Sequence, residues 1–323
     1  MLLAGMCLLT LLVALPLSLA LRGMLAEHFG SSLAAQASSA GTDYQWWQAF
    51  LSQATGLGAT FTPSIIGFGA VLDNLDTFIE NAPMAATAAG ATAAWLVLWS
   101  FLSGGVIDRL ARNRRTRAHG FFAACGVHFW RFLRLGVFAW LVYGVLFGWL
   151  HGWLLTDLYG RLVSDLTSER AAASIRLAGY LLFGALLIFF NVIFDYARIR
   201  IVVEDRRSAI GGIMAGSRFV RRHWGRVYGL YLLNGLAFVV LLTLYAILSP
   251  GAPGSGVGMW GVLLLGQAYL IGRHYLKLLF YASQMAMFQS ELAHSPFTAS
   301  PPIEWPDSPA AESITNAGAA VTR

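Results

Sequence analysis

The chain has 323 residues, of which 57% are hydrophobic and 12% are charged, and its mean hydropathy is +0.62. Soluble domains carry about 25% charged residues, so this composition excludes a water-facing globular protein and indicates a surface that meets lipid. The formal charge of +6 would favour a nucleic-acid partner in a soluble protein, but the arginines here flank hydrophobic segments. Membrane topology explains them, and we expect no nucleic-acid partner.

Six apolar segments are long enough to cross a bilayer, which takes about 20 residues in an α-helix. These predicted spans one to six are residues 2–21, 84–105, 135–155, 177–194, 227–248 and 257–280. Span one could also be a signal peptide, but no basic residue precedes it, so a retained helix is favoured. The predicted fold class is all-α, a polytopic transmembrane helical bundle forming one domain over residues 1–290.

An acidic stretch follows span one. No Lys or Arg occurs between Gly23 and Asp108, which favours a location outside the cytoplasm. Within this stretch Thr62-Pro63 is typical of the first residues of a helix, and the residues after it show a helical hydrophobic period. We therefore predict a small helical cap over residues 26–82 on the outer face. In span two, the Ala- and Gly-rich first half predicts close packing against other helices.

Basic residues are concentrated in two stretches, which follow spans two and four. They hold seven and eight arginines, fifteen of the 22 basic residues. The three stretches on the opposite side hold none, three and none. By the positive-inside rule, this asymmetry predicts a bacterial inner-membrane protein with both termini in the cytoplasm. The tail, residues 291–323, is rich in Pro, Ser and Ala, and we predict it to be disordered and cytoplasmic.

Each basic stretch contains a predicted amphipathic helix, at residues 118–134 and 208–224, of the kind that lies in the headgroup plane. These helices either contact lipids or a partner, or simply anchor the topology, and the sequence leaves both open. The candidate headgroup or partner contacts are Arg114, Arg115, Arg117, Arg131, Arg134, Arg207, Arg218, Arg221 and Arg222.

The second basic stretch carries a family resemblance. Its residues 194–209 read Phe194-Asp195-Tyr196-Ala197-Arg198-Ile199-Arg200-Ile201-Val202-Val203-Glu204-Asp205-Arg206-Arg207-Ser208-Ala209. The pattern is an extended run with an acid, followed by a Ser/Ala-rich amphipathic helix and a basic span start. It resembles the membrane domain found beside some glycerophosphodiesterases and similar six-span bacterial proteins. The resemblance covers residues 194–224, departs from that class in lacking a Pro in the extended run, and implies a six-span membrane fold. It implies no phosphodiesterase activity, because the chain has no such catalytic domain.

Polar residues inside the spans are the candidate functional site, since ionisable groups at membrane depth are costly. Arg273 and Lys277 are four residues apart in span six, so they share a helix face, with His274 beside them. Asp195 lies at a similar height at the end of span four, which favours an ion pair with Arg273 or Lys277 that locks the two helices together. In the alternative, the basic pair forms an anion or headgroup site. We expect interhelical hydrogen bonds from Asn191, Asn234 and Gln267, and a hydrogen-bonding role near the outer interface for His151.

Motifs for catalysis are missing from the sequence, which contains no HExxH, GxxxxGK[ST] or GxSxG pattern. We therefore expect no catalytic residues, metal or cofactor. The favoured function is a non-enzymatic membrane module that binds anionic lipids, a protein partner or a second copy of itself. The alternative is a transporter or permease subunit with a path between spans two, four, five and six. A polar cavity there would favour transport, and a cavity open to lipid at Arg273 and Lys277 would favour a headgroup site.

Overall fold

The computed structural model describes residues 2–30, 44–61, 67–83, 86–112, 117–249 and 257–293, and within these ranges the regular structure is entirely helical. The predicted all-α class is confirmed. The described residues form nine helices, which are α1 (Leu2–Phe29), α2 (Tyr44–Gln53), α3 (Gly67–Ile79), α4 (Ala86–Arg112), α5 (Ala118–Val163), α6 (Glu169–Val203), α7 (Ala209–Arg222), α8 (Trp224–Leu248) and α9 (Val257–Ala293).

Five of these helices, α1, α4, α5, α6 and α8, are long and apolar enough to cross a membrane. They contain the first five predicted spans, and the chain is therefore a multi-pass membrane protein. The sixth predicted span lies in α9, which is 37 residues long but is not among the five. Its middle carries Gln267, Arg273, His274 and Lys277, so the sixth crossing stays a prediction.

The predicted amphipathic helix at residues 118–134 is not a separate element. It continues without a break into span three as α5, because no proline or glycine turn interrupts the chain between Ala118 and Val163. Further along, α5 contains two π-helical segments, Leu146–Leu150 and Trp153–Leu158. The helix predicted at 208–224 is separate, as α7. Its start is defined by Ser208, whose hydroxyl accepts a hydrogen bond from the Gly211 amide at 3.1 Å.

The predicted cap contains α2, α3 and a 3₁₀ turn at Gly58–Thr60. The predicted helix start at Thr62-Pro63 lies outside the described residues. The end of α3 is bound to α5 by two hydrogen bonds. His151 Nε2 lies 2.8 Å from the carbonyl oxygen of Ile79, and the Asn81 amide donates to the carbonyl oxygen of Phe147 at 3.0 Å. The second bond reaches a π-helical segment of α5. His151 therefore has the hydrogen-bonding role expected of it.

Replacing His151 with Phe is expected to loosen the end of α3, because the ring keeps its size while the Ile79 carbonyl loses its partner. A single hydrogen bond of this kind contributes about 1 kcal/mol. Hydrogen exchange measured by mass spectrometry should show faster exchange in peptides covering residues 67–83. The control is His119→Phe, an exposed position near the start of α5, which should leave these peptides unchanged. Equal exchange in both variants would contradict the assigned contact.

Two helix pairs cross at glycines, where the backbones approach closely. A Cβ atom at Gly105 of α4 would lie 2.5 Å from the Sγ of Cys125 on α5. On α7, Gly212 and Gly216 form a GxxxG pattern facing α6. The Ala- and Gly-rich first half of span two does not provide such packing, since residues 86–94 are exposed or half-buried. The expectation for that half was wrong: the buried residues of α4 are Trp99 and the run from Ser103 to Asp108.

The chain divides into two units, Met1–Met285 and Ala286–Arg323. The first holds eight helices and most of α9, together with every cavity discussed below. The second contains the last residues of α9, and residues 294–323 lie outside the described part of the chain. The predicted disordered tail at 291–323 is wrong for residues 291–293, which are helical, and stays a prediction for residues 294–323.

Candidate functional site

A half-open cavity of about 600 Å³ lies among α1, α4, α6, α8 and α9. We call it the polar cavity. It brings together five of the seven intramembrane candidates, and Asn234 and Gln267 lie outside it. Its polar and aromatic lining residues are Thr10, Trp95, Trp99, Asn191, Asp195, Arg198, Tyr231, Phe238, Arg273, His274, Lys277, Phe280 and Tyr281.

Asp195 is buried at one end of the polar cavity, with 8% of its surface exposed. One carboxylate oxygen accepts from Arg198 Nη1 at 3.0 Å, and the other accepts from the Gln284 side-chain amide at 3.3 Å. The same Nη1 of Arg198 also lies 3.3 Å from the hydroxyl of Tyr281. Gln284 and Tyr281 belong to α9, so these two hydrogen bonds join α6 to α9, while the ion pair itself lies within α6.

The prediction that Asp195 forms an ion pair with Arg273 or Lys277 is therefore wrong. In the structure Asp195 is paired with Arg198. The reason is that α6 stays helical to Val203, which places Arg198 three residues along the same helix face. Reading residues 198–203 as an extended run concealed this spacing.

Lys277 has an aromatic partner instead of a carboxylate. Its Nζ lies 3.8 Å from the ring centroid of Trp99 and 4.2 Å from that of Trp95. The two indoles are stacked with centroids 5.9 Å apart, because they are four residues apart on α4. Cation–π contacts of this kind stabilise an ammonium group most when water is excluded. The contact fixes the position of Lys277, which has no carboxylate within ion-pair distance among the described residues.

His274 joins α9 to α1. Its Nε2 lies 3.0 Å from the Thr10 hydroxyl oxygen, and that hydroxyl donates to the carbonyl oxygen of Met6 at 3.1 Å. Because the hydroxyl proton is already directed at Met6, His274 Nε2 is the donor to Thr10. Arg273, one residue away, is exposed and forms no ion pair with a described carboxylate.

The two asparagines connect helices around the polar cavity. The Asn191 amide donates to the hydroxyl of Tyr231 at 2.5 Å, which joins α6 to α8. The Asn234 amide donates to the hydroxyl of Ser283 at 2.8 Å, which joins α8 to α9. In lipid such bonds contribute roughly 0.6 to 2 kcal/mol each, so both asparagines support the walls of the cavity.

A second cavity, of about 710 Å³, lies between α3, α8 and α9. We call it the apolar cavity, because its walls are mainly aliphatic and aromatic side chains such as Val71, Leu75 and Leu263. Gln267 lies here, away from the other intramembrane candidates. The apolar and polar cavities share the lining residues Phe238, Leu270 and Arg273. They therefore meet at the exposed guanidinium of Arg273.

Comparison of the chain with protein-family models, curated proteins and solved structures found no match. The functional argument therefore comes from the site itself.

Several residues of the site were not found from the sequence, chiefly Trp95, Trp99, Tyr281 and Gln284. A signal for the last two was present. Tyr281 and Gln284 follow Lys277 at spacings of four and seven, which places all three on one face of α9. The pair Trp95 and Trp99 also shares a face at a spacing of four. Polar and aromatic side chains at helical spacing were therefore a signal for the residues around the cavity, in addition to the charged residues.

The predicted headgroup contacts fall into three groups. Arg114 and Arg115 lie outside the described residues. Arg131 has only 15% of its side chain exposed and is paired with Asp205, so it joins α5 to the link between α6 and α7. Its guanidinium donates to the Asp205 carboxylate and lowers the pKa of that carboxyl below its usual value. The remaining arginines are exposed, and they are Arg117, Arg134, Arg207, Arg218, Arg221 and Arg222.

Proposed function

We propose that the chain is a non-enzymatic membrane module that binds an anionic lipid, with the headgroup in the polar cavity. The observation that carries this proposal is the charge of the lining. Three basic side chains, Arg198, Arg273 and Lys277, line the cavity together with one carboxylate, Asp195, so basic groups outnumber acidic ones by two. Uncompensated cations at membrane depth are costly, so an anionic group entering the cavity would gain a large share of its binding energy there.

The neighbouring apolar cavity supports a lipid as the ligand. A free anion would need only the polar cavity, whereas a lipid also needs an apolar surface for its chains. Arg273 lies where the two cavities meet, so a headgroup bound near it would leave an attached chain beside Val71 and Leu263. This pairing of a cationic and an apolar region fits an amphiphile.

The distribution of arginines supports a bacterial inner membrane as the location, with both termini in the cytoplasm. In this orientation the cap, with α2 and α3, lies on the periplasmic side. The basic helix α7 then lies at the cytoplasmic surface, where anionic headgroups attract arginine side chains.

Mass spectrometry of lipids that co-purify with the protein tests the proposal. Lys277→Met and Arg273→Gln should each weaken retention of anionic lipids about tenfold, the effect of about 1.4 kcal/mol, because each removes one cation from the lining. The matched control is Arg170→Gln, an exposed arginine at the start of α6 outside both cavities. It should retain lipid like the unchanged protein. Equal lipid content in all three variants would exclude the polar cavity as the headgroup site.

Transport is the second candidate function, and the adjacency of the two cavities favours it. The shared residues Phe238, Leu270 and Arg273 connect a region beside α3 to the Asp195–Arg198 pair. A path of this kind runs between α4, α6, α8 and α9. Proteoliposomes loaded with a fluorescent anionic lipid in one leaflet would separate the two functions. Transfer between leaflets that is lost in Lys277→Met indicates transport, and binding without transfer indicates the membrane module.

A further inference from the structure

A third cavity, of about 570 Å³, lies where α6, α7 and α8 meet, and it shares no lining residue with the polar and apolar cavities. We call it the α7 groove. Its main lining side chains are Phe189 of α6, Arg218 and Arg221 of α7, and Trp224 and Tyr228 of α8. It is independent of the proposed function, because none of its walls belongs to α9.

One edge of the α7 groove is cationic. Arg218 and Arg221 are three residues apart on α7, so both guanidinium groups lie on the same edge, with the hydroxyl of Ser217 beside them. Arg218 donates its Nε proton to the carbonyl oxygen of Met214 at 3.3 Å, which leaves its terminal NH₂ groups for a ligand. The residues that line the groove include no carboxylate. This edge therefore has the chemistry of a phosphate site.

The opposite wall of the groove is an apolar strip on α6. Ala185, Phe189 and Ile193 follow one another at four-residue spacing, which covers about 12 Å of helix. Trp224, with 69% of its surface exposed, lies at the start of α8 next to the arginine edge. Tryptophan is typical of the headgroup level of a membrane, where one side of the ring is apolar. The groove thus changes from cationic to apolar over the length of a lipid's glycerol region and upper acyl chain.

Tyr228 adds a second aromatic ring to the lining of the α7 groove, one helical turn after Trp224 on α8. The two ring centroids are 6.2 Å apart. Tyrosine, like tryptophan, is typical of the headgroup level of a membrane, so this end of the groove suits the glycerol region of a lipid.

We infer that the α7 groove binds one anionic phospholipid. The phosphate lies between Arg218 and Arg221, the glycerol region packs on the rings of Trp224 and Tyr228, and an acyl chain follows Phe189 along α6. The groove is held in shape by the crossing of α7 on α6, where Gly212 and Gly216 pack directly against Ile201 and Ala197. An acidic segment of a protein partner would use the arginines but would have no use for the apolar strip on α6.

Native mass spectrometry of the whole chain in detergent tests the inference, with phosphatidylglycerol and phosphatidylcholine of equal chain length as probes. The Arg218→Gln, Arg221→Gln double variant should bind phosphatidylglycerol at least tenfold more weakly. The control is Arg222→Gln, which removes one positive charge from the next residue of α7 but does not line the groove. It should bind phosphatidylglycerol like the unchanged protein.

Three results would overturn the inference. The first is equal binding of phosphatidylglycerol by the double variant and by Arg222→Gln. The second is no preference for phosphatidylglycerol over phosphatidylcholine. The third is displacement of phosphatidylglycerol by an equal concentration of inorganic phosphate, which would indicate an anion site without a lipid chain. Binding of an acidic peptide that is lost in the double variant, without binding of phosphatidylglycerol, would assign the groove to a protein partner instead. Lys277→Met should leave binding in the α7 groove unchanged, so failure of this inference is separable from failure of the polar-cavity proposal.

Discussion

Replacing Arg198 with Leu is expected to lower the free energy of unfolding by about 3–5 kcal/mol, the cost of leaving one partner of a buried ion pair uncompensated. Asp195 would keep only the hydrogen bond from Gln284 while remaining 8% exposed. The Tyr281 hydroxyl would also lose its contact with the guanidinium. Thermal unfolding of the purified protein in detergent, followed by circular dichroism, measures the loss.

Two further variants make this result specific. Asp195→Asn combined with Arg198→Leu removes both charges, so it should recover much of the stability lost by Arg198→Leu alone. Arg207→Leu, at an exposed position beyond α6, controls for the loss of an arginine and should change stability by less than about 0.5 kcal/mol. If Arg198→Leu unfolds like Arg207→Leu, the ion pair does not stabilise the junction of α6 and α9.

Replacing Gly216 with Ala should cost about 1–3 kcal/mol through overpacking. The new Cβ would lie 2.9 Å from the backbone nitrogen of Ala197 and 3.1 Å from the carbonyl oxygen of Ile193. Both neighbours are backbone atoms, so no side chain can rotate away and α7 must move off α6. The larger Gly216→Val should cost more, and both variants should weaken lipid binding in the α7 groove because Arg218 moves with the helix.

The control for Gly216 is Gly229→Ala on α8, where an added Cβ has no atom within 4 Å. Alanine favours a helix over glycine by about 1 kcal/mol in water, so this variant should be as stable as the unchanged protein or slightly more stable. Thermal unfolding of the two variants under the same conditions gives the comparison. Equal stability of Gly216→Ala and Gly229→Ala would show that α7 is not closely packed on α6.

Much of the fold follows from the sequence, because apolar length is a local property. About 20 apolar residues in succession predict a membrane helix wherever they occur, and five such helices are present. The same holds for the intramembrane candidates Asp195, Arg273 and Lys277, which are identified by being charged where the chain is otherwise apolar. All three line the polar cavity.

The contact partners of these charged residues could not be predicted from the sequence in the same way. Whether Asp195 pairs with Arg198 or Lys277 depends on how far α6 remains helical and on which face of α9 it meets. Lys277 is directed to the stacked Trp95 and Trp99, a contact between residues 178 to 182 positions apart in the sequence. Hydrophobicity patterns predict that a face is buried but not which helix covers it.

The sequence by itself determined a multi-pass helical membrane protein with a few charged residues inside the bundle. Only the tertiary structure decided the ion pair of Asp195, the packing of α7 through glycines and the meeting of two cavities at Arg273. The physical reason is that helix formation and membrane insertion depend on neighbours within a few turns. Pairing and cavity shape depend instead on atoms that distant helices bring within about 4 Å of one another.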